Sequence, residues 1–286
     1  MKNINWYPGH MKKTRELIQE NLKMVDAVVE VIDARIPVSS RNPIIDELVS
    51  GKPRIVALNK SDLADGEATD RWVEFFSGNY RAVSINANTG EGVKDLLRTL
   101  EKMDMKRNRF MVVGVPNVGK SSLINRLTGR KSAQTGDRPG VTKGKQWLKT
   151  ANGMQLLDTP GILWPKFEDP KAGLNLAFCG SIKDEILDVP DLALELIKVL
   201  QNLYPDMLAD RYKLDELFIP GDYNPETGAP LETEQEAALA NMEAMAMKRG
   251  CIMSGKRIDY ERIGKLVLDE FRSAKIGRIT LELPND

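Results

Sequence analysis

The chain has 286 residues, with 41 Lys and Arg against 41 Asp and Glu and a single histidine. That length holds roughly two domains, and 42% hydrophobic with 29% charged residues excludes a disordered or collagen-like chain. No run approaches the ~18 apolar residues of a membrane span.

In chain order, Ala27–Asp33 reads as a buried strand, followed by strands at Arg54–Leu58, Ala82–Ile85 and Phe110–Val113. Helical patterns separate them at Pro43–Val49, Glu67–Phe76 and Val93–Met103. Alternation of this kind predicts a doubly wound parallel α/β sheet with right-handed crossovers. Ligands in such sheets sit at the carboxyl ends of the strands. Trp147–Thr150 and Met154–Leu157 form a predicted antiparallel hairpin around Ala151-Asn152-Gly153. Beyond Pro170 the strand pattern fades, and Asp191–Leu203, Glu234–Met247 and Tyr260–Phe271 read as helices. The expected organisation is an α/β domain over residues 1–175, with an N-terminal helical extension, and a small all-helical domain over 176–286.

Four loops carry the chemistry. Gly114-Val-Pro-Asn-Val-Gly-Lys-Ser121 lies between a strand and a helix, the setting of a phosphate loop. Its glycines let backbone N–H groups converge on phosphate oxygens. Asn117, Val118, Gly119, Lys120, Ser121 and Ser122 are its candidate nucleotide contacts. Lys120 would reach the β- and γ-phosphates, and the Ser121 hydroxyl would bind Mg²⁺. Asn59-Lys60-Ser61-Asp62 ends the second strand. The Asp62 carboxylate offers two acceptors to the adjacent N1–H and N2–H₂ donors of guanine, which adenine lacks. Asn59 would brace this loop, and the Lys60 stem would lie along the base. The expected ligand is therefore GTP or GDP.

Asp158-Thr-Pro-Gly161 follows a strand. Asp158 would hold Mg²⁺ through water, and the Gly161 amide would sense the γ-phosphate. Asn86-Ala87-Asn88-Thr89-Gly90 is similar to the Ser-Ala-x-x-Gly base loop of GTPases, in which the alanine N–H meets guanine O6; Asn86 stands in place of the serine. Between phosphate loop and Asp-x-x-Gly, Thr142 is the candidate second hydroxyl on Mg²⁺, with Thr135 as the alternative. The order guanine loop, base loop, phosphate loop, switch threonine, Asp-x-x-Gly is a circular permutation of the ordinary one. Compact domains tolerate it because their ends often lie close together.

The first ten residues lack the apolar core of an export signal. Cys179 and Cys251 are far apart, without a CxxC, so a zinc cluster is excluded and a reduced cytoplasmic setting fits. Charge is sorted along the chain: seven basic residues against Asp137 over 126–149, eight acids and no Lys or Arg over 214–247, then nine basic against four acidic over 248–278. A basic face meets nucleic acid or is simply solvated, and charge alone does not separate the two.

The chain resembles the circularly permuted GTPases of the YlqF/YawG type. The resemblance rests on the loops above, on Trp6-Tyr-Pro-Gly-His10-Met11, on Asp33-Ala-Arg-Ile-Pro37 continuing to Pro43, and on Thr135–Thr142. It also includes Asp158–Asp169, Lys248-Arg-Gly-Cys251 and Lys275-Ile-Gly-Arg278. It implies a cytoplasmic, monomeric GTPase that binds the maturing large (50S) ribosomal subunit through 23S rRNA and ribosomal proteins. That partner set includes neither membrane nor DNA. It places action late in subunit assembly, with hydrolysis timing release. Residues 218–230 are longer than the resemblance leads one to expect and read as an exposed insertion.

Many GTPases orient the attacking water with a glutamine after Asp-x-x-Gly. Ile162 stands there and cannot hydrogen-bond water. Either the protein is a GTP-gated RNA-binding scaffold with negligible turnover, or another residue takes the role. A regulatory GTPase with a protein partner is a third reading. The resemblance assigns water positioning to His10, although a lone histidine beside Trp6 and Tyr7 also suits packing, capping or an RNA contact. The resemblance further assigns Asn117 a part in binding K⁺, which would supply charge where an arginine finger otherwise sits; otherwise Asn117 stabilises the turn.

Overall fold

The computed structural model describes residues 16, 18–49, 51–129, 146–158, 169–225 and 227–284. Strand β1 (Ala27–Asp33) is buried at all seven positions, which is why the run shows no polar–apolar alternation. Strands β2 (Arg54–Asn59), β3 (Arg81–Ser84), β4 (Arg109–Val113), β5 (Gln146–Lys149) and β6 (Gln155–Asp158) complete one sheet, ordered β3-β2-β1-β4-β6-β5. β1 pairs in parallel with β2 and β4, β2 with β3, and β4 with β6; only β5 runs antiparallel, along β6. The four strands that precede the candidate loops, β2, β3, β4 and β6, therefore point the same way.

Helices α1 (Pro43–Leu48), α2 (Gly66–Ser77), α3 (Val93–Glu101) and α4 (Lys120–Thr128) alternate with them. α2 starts where the Asp65 carboxylate accepts the Ala68 N–H at 2.9 Å, satisfying one of the amides a helix start leaves open. Ile18, Leu22, Val25, Val28, Ile45, Val49, Met111, Val113 and Leu157 form one core cluster, and Ile32, Val56, Leu58, Trp72 and Phe76 belong to another. Glu30, in the middle of β1 and only 1% exposed, pairs with Arg54 at 3.0 Å and Arg41 at 3.3 Å. A carboxylate this deep needs partners of this kind to offset its lost hydration.

The chain divides into two units, 1–176 with 282–286, and 177–281. The second unit is therefore an insertion into the first, whereas the sequence reading carried the helical domain through to residue 286. In it, α6 (Val189–Leu203), α8 (Glu234–Arg249) and α9 (Tyr260–Arg272) occupy the predicted segments. α8 opens with a capping box, Thr233 with Glu236. Two helices escaped the sequence reading: α5 (Pro170–Phe178), which straddles the division, and α7 (Pro205–Tyr212). Each opens on a proline, a residue that starts helices as readily as it ends them. Residues 218–225 and 227–230 form turns, bridged at Tyr223–Pro230, with Ile219 61% and Tyr223 68% exposed. No described helix is long and apolar enough to cross a membrane.

Candidate nucleotide site

The phosphate loop leaves β4 in a backbone shape that only small residues allow. Gly114 has φ 153, and a Cβ on it would lie 2.3 Å from Val31 O on the neighbouring strand. At Gly119, φ 96, a Cβ would lie 2.1 Å from Asn59 Nδ2. Asn117 also adopts a left-handed conformation, φ 60, which asparagine tolerates better than most side chains. The loop then enters α4, whose first residues are Lys120, Ser121 and Ser122. Lys120 is 8% exposed, and its ammonium donates to Val115 O at 2.6 Å. Burial pulls this amine down to about 8, with the Asp158 carboxylate at the end of β6 pulling the other way. A buried cation with so little opposing charge is suited to an anionic ligand.

Asn59 ties three loops together. Its Nδ2 donates to Val118 O at 2.6 Å in the phosphate loop, and its Oδ1 accepts the Ala87 N–H at 2.9 Å in the base loop. Ser61 adds a second tie, its hydroxyl donating to Ile85 O at 3.0 Å. Arg126 of α4 closes the set, donating to the carbonyls of Ala87 and Asn88. Asp62 is exposed at the rim of this cluster.

Three details go beyond the sequence reading. The Ala87 amide, expected to meet guanine O6, is engaged by Asn59. Asn86 faces its own loop, accepting the Asn88 and Thr89 amides at 2.9 and 3.1 Å, so it holds the turn's shape. The Lys60 amine is fixed at 2.9 Å on Asp33, which the sequence places at the end of a strand and in a segment that carries the resemblance, without a role. Burial alone pushes the Asp33 carboxyl up, but the Arg35 guanidinium and the Lys60 ammonium hold it well below the usual carboxylate range. Arg35 is itself 1% exposed and grips Asp33 through two bonds of 2.9 and 2.7 Å. Removing one partner from such a buried pair costs roughly 3–5 kcal/mol. The Asp-Ala-Arg tripeptide thus anchors Lys60, which has φ 61, from beneath. Its signal in the sequence is two opposite charges two positions apart at the end of an apolar strand. His10, Thr135, Thr142, Gly161 and Ile162 lie outside the described residues.

Residues 109–214 match the family described as "50S ribosome-binding GTPase". A protein of Bacillus cereus named ribosome biogenesis GTPase A is 44% identical over 297 residues, covering 99% of this chain and 95% of that one. The chain belongs to the ribosome biogenesis GTPase A family. Two structures of YlqF share its fold: a GDP-bound one, with a TM-score of 0.66 and 30% identity over 94% of this chain and all of that one, and a GNP-bound one from Thermotoga maritima, with 0.65 and 30% over 96% and 99%. The chain is a GTPase with a circularly permuted P-loop fold. As in the ribosome biogenesis GTPase A family generally, guanine nucleotide is the ligand class. Mg²⁺ fits the donors present: a serine hydroxyl at the start of α4 and a buried carboxylate, both hard oxygen ligands.

Proposed function

We propose that the protein is a cytoplasmic assembly factor for the large ribosomal subunit, binding 23S rRNA and ribosomal proteins as a monomer and using GTP hydrolysis to time its release late in maturation. The observation that carries it is the full-length similarity to ribosome biogenesis GTPase A, together with the described site. In this reading Asn59, Lys60 and Asp62 with Asn86 and Ala87 form the base side of the nucleotide site. Asn117 through Ser122 form the phosphate side, completed by Thr142 and Gly161. Ser121, Thr142 and Asp158 would hold Mg²⁺, Asp158 through water. When bound, the ion neutralises charge on the β- and γ-phosphate oxygens. The exposed Asn117 would hold K⁺. The helical unit supplies the ribosome contact, its basic segment from Lys248 onward facing rRNA.

Lys120 gives this reading a proton signature. Phosphate beside the buried ammonium favours the charged form, so nucleotide binding raises a group that otherwise titrates at about 8. Near pH 8.5 binding should therefore take up a proton, and near pH 6.5 Lys120 should contribute none. Calorimetry of GDP binding in two buffers of different ionisation enthalpy measures this. Identical enthalpies in both buffers at pH 8.5 would remove Lys120 from the phosphate site.

With Ile162 after the Asp-x-x-Gly segment, water positioning falls to His10. Turnover should be slow for the protein alone and faster with large subunits, and His10→Ala should abolish the acceleration, a loss of ~10²-fold, while GDP affinity stays the same. The measurement is GTPase rate at matched subunit occupancy. Equal stimulation of both forms would make His10 a packing or RNA-contact residue. Absence of any turnover with subunits present would favour the scaffold reading instead.

A further inference from the structure

After the helical unit, the chain returns to the first unit at Glu282. The Glu282 carboxylate accepts the Val38 N–H at 2.6 Å, the Ser39 N–H at 3.1 Å, the Ser39 hydroxyl, and Asn175 Nδ2 at 2.9 Å. Its carbonyl accepts Trp72 Nε1 at 2.7 Å, and Leu281 and Pro284 on either side are buried. This is a built seat: Ser39 is 4% exposed and Asn175 2%.

What the seat holds is the loop over residues 33–40. The next residue, Ser40, is fully buried; its hydroxyl accepts the Asp33 N–H at 2.9 Å and donates to Ile36 O at 2.7 Å. That closed loop touches the guanine loop twice. The Ala34 N–H donates to Asn59 O at 2.8 Å, and Asp33 holds the Lys60 ammonium. A continuous set of hydrogen bonds thus runs from Glu282 through residues 38–40 and Asp33 to Asn59 and Lys60.

We infer that Glu282 is a positioning residue for guanine binding, holding the 33–40 loop in the shape that presents Asp33 and Ala34 to the guanine loop. It touches no nucleotide. Its effect falls on the base side of the site, because this set of bonds meets Asn59 at its backbone carbonyl and not at the side chain that donates to Val118 O. The inference rests on the reading of Asn59–Asp62 as the guanine loop. The carboxylate that seats the loop directly follows Leu281, the last residue of the helical unit.

The test uses the full chain and compares two ligands, a fluorescent GDP analogue and inorganic pyrophosphate, the second by competition. Glu282→Ala should speed GDP dissociation about tenfold, within the range typical of coupling between separate sites, with pyrophosphate affinity unchanged. Glu282→Gln, which retains an acceptor oxygen, should fall between the two and serves as the variant of record should the alanine form fail to fold. Equal weakening of GDP and pyrophosphate would show a general structural role and overturn the inference. Unchanged GDP dissociation in both variants would do the same. Asp62→Asn, run alongside, separates the two readings. If it alters guanine preference while the Glu282 variants behave as the unsubstituted chain, only the Glu282 inference fails; if it alters nothing, the guanine-loop reading fails and the inference with it.

Discussion

Lys120→Ala should lower GTP turnover and triphosphate affinity by on the order of 10²–10³-fold, the loss typical of removing one preorganised donor from developing or concentrated negative charge. The amine is positioned by α4 and held against Val115 O in a buried setting, so its charge is little screened by water. Folding should not suffer. The native amine titrates at about 8 against an ordinary 10.5, so below pH 8 the folded protein carries the full burden of a buried ammonium. That burden is relieved as pH rises from 8 toward 10.5, where the unfolded chain binds more protons than the folded one. In the absence of nucleotide, Lys120→Ala should thus melt no lower than the unsubstituted chain at pH 7. It should also lack the stability gain that Lys120 contributes above pH 8. Calorimetric GTP titration and melting at several pH values check both halves; unchanged GTP affinity would remove the phosphate-loop assignment.

Asp62→Asn should exchange guanine for xanthine. The asparagine oxygen still accepts N1–H, but its amide donor faces N2–H₂ where a charge-assisted hydrogen bond worth roughly 1.5–3 kcal/mol stood, so GTP should bind about 10–10²-fold more weakly or worse. Xanthosine triphosphate carries O2 where guanine has its amino group, and the asparagine amide donates where the carboxylate does not. The preference ratio should therefore move in both directions at once. Asp62 is exposed, and surface substitutions usually stay within about 0.5 kcal/mol of neutral, so melting should be unaffected. Competition between the two triphosphates measures the ratio. Retained GTP preference would mean that Asn59–Asp62 does not read the base.

Strands β1, β2 and β4 were legible because they are buried along nearly their whole length and so appear as apolar runs, and the loops because their glycines and asparagines sit where strands end. Legibility failed where a residue's partner is distant in sequence or where one residue serves two structural purposes. Asp33 and Arg35 look like a strand terminus, and only their pairing with Lys60 shows an anchor. Asn86 looks like a replaced serine, yet its side chain shapes the turn. Glu282 gives no local signal, since its partners Val38 and Ser39 lie more than two hundred residues away. Pro170 and Pro205 punctuate the sequence as loop residues do while opening helices.

The strand order also bears on synthesis. β1, β2 and β3 lie side by side in the order in which they leave the ribosome, and β4 then docks against the opposite edge of β1. During translation the nascent chain can assemble half a sheet while β1 still presents an unpaired apolar edge, from residue 33 to residue 109, roughly 4–15 s at ~5–20 residues per second. Such an edge invites pairing with another chain. Glu30 sits in the middle of it, and until the sheet is complete it is a charge in an otherwise aggregation-prone segment. The arginines that pair with Glu30, at positions 41 and 54, are both synthesised during that wait and before β4 emerges.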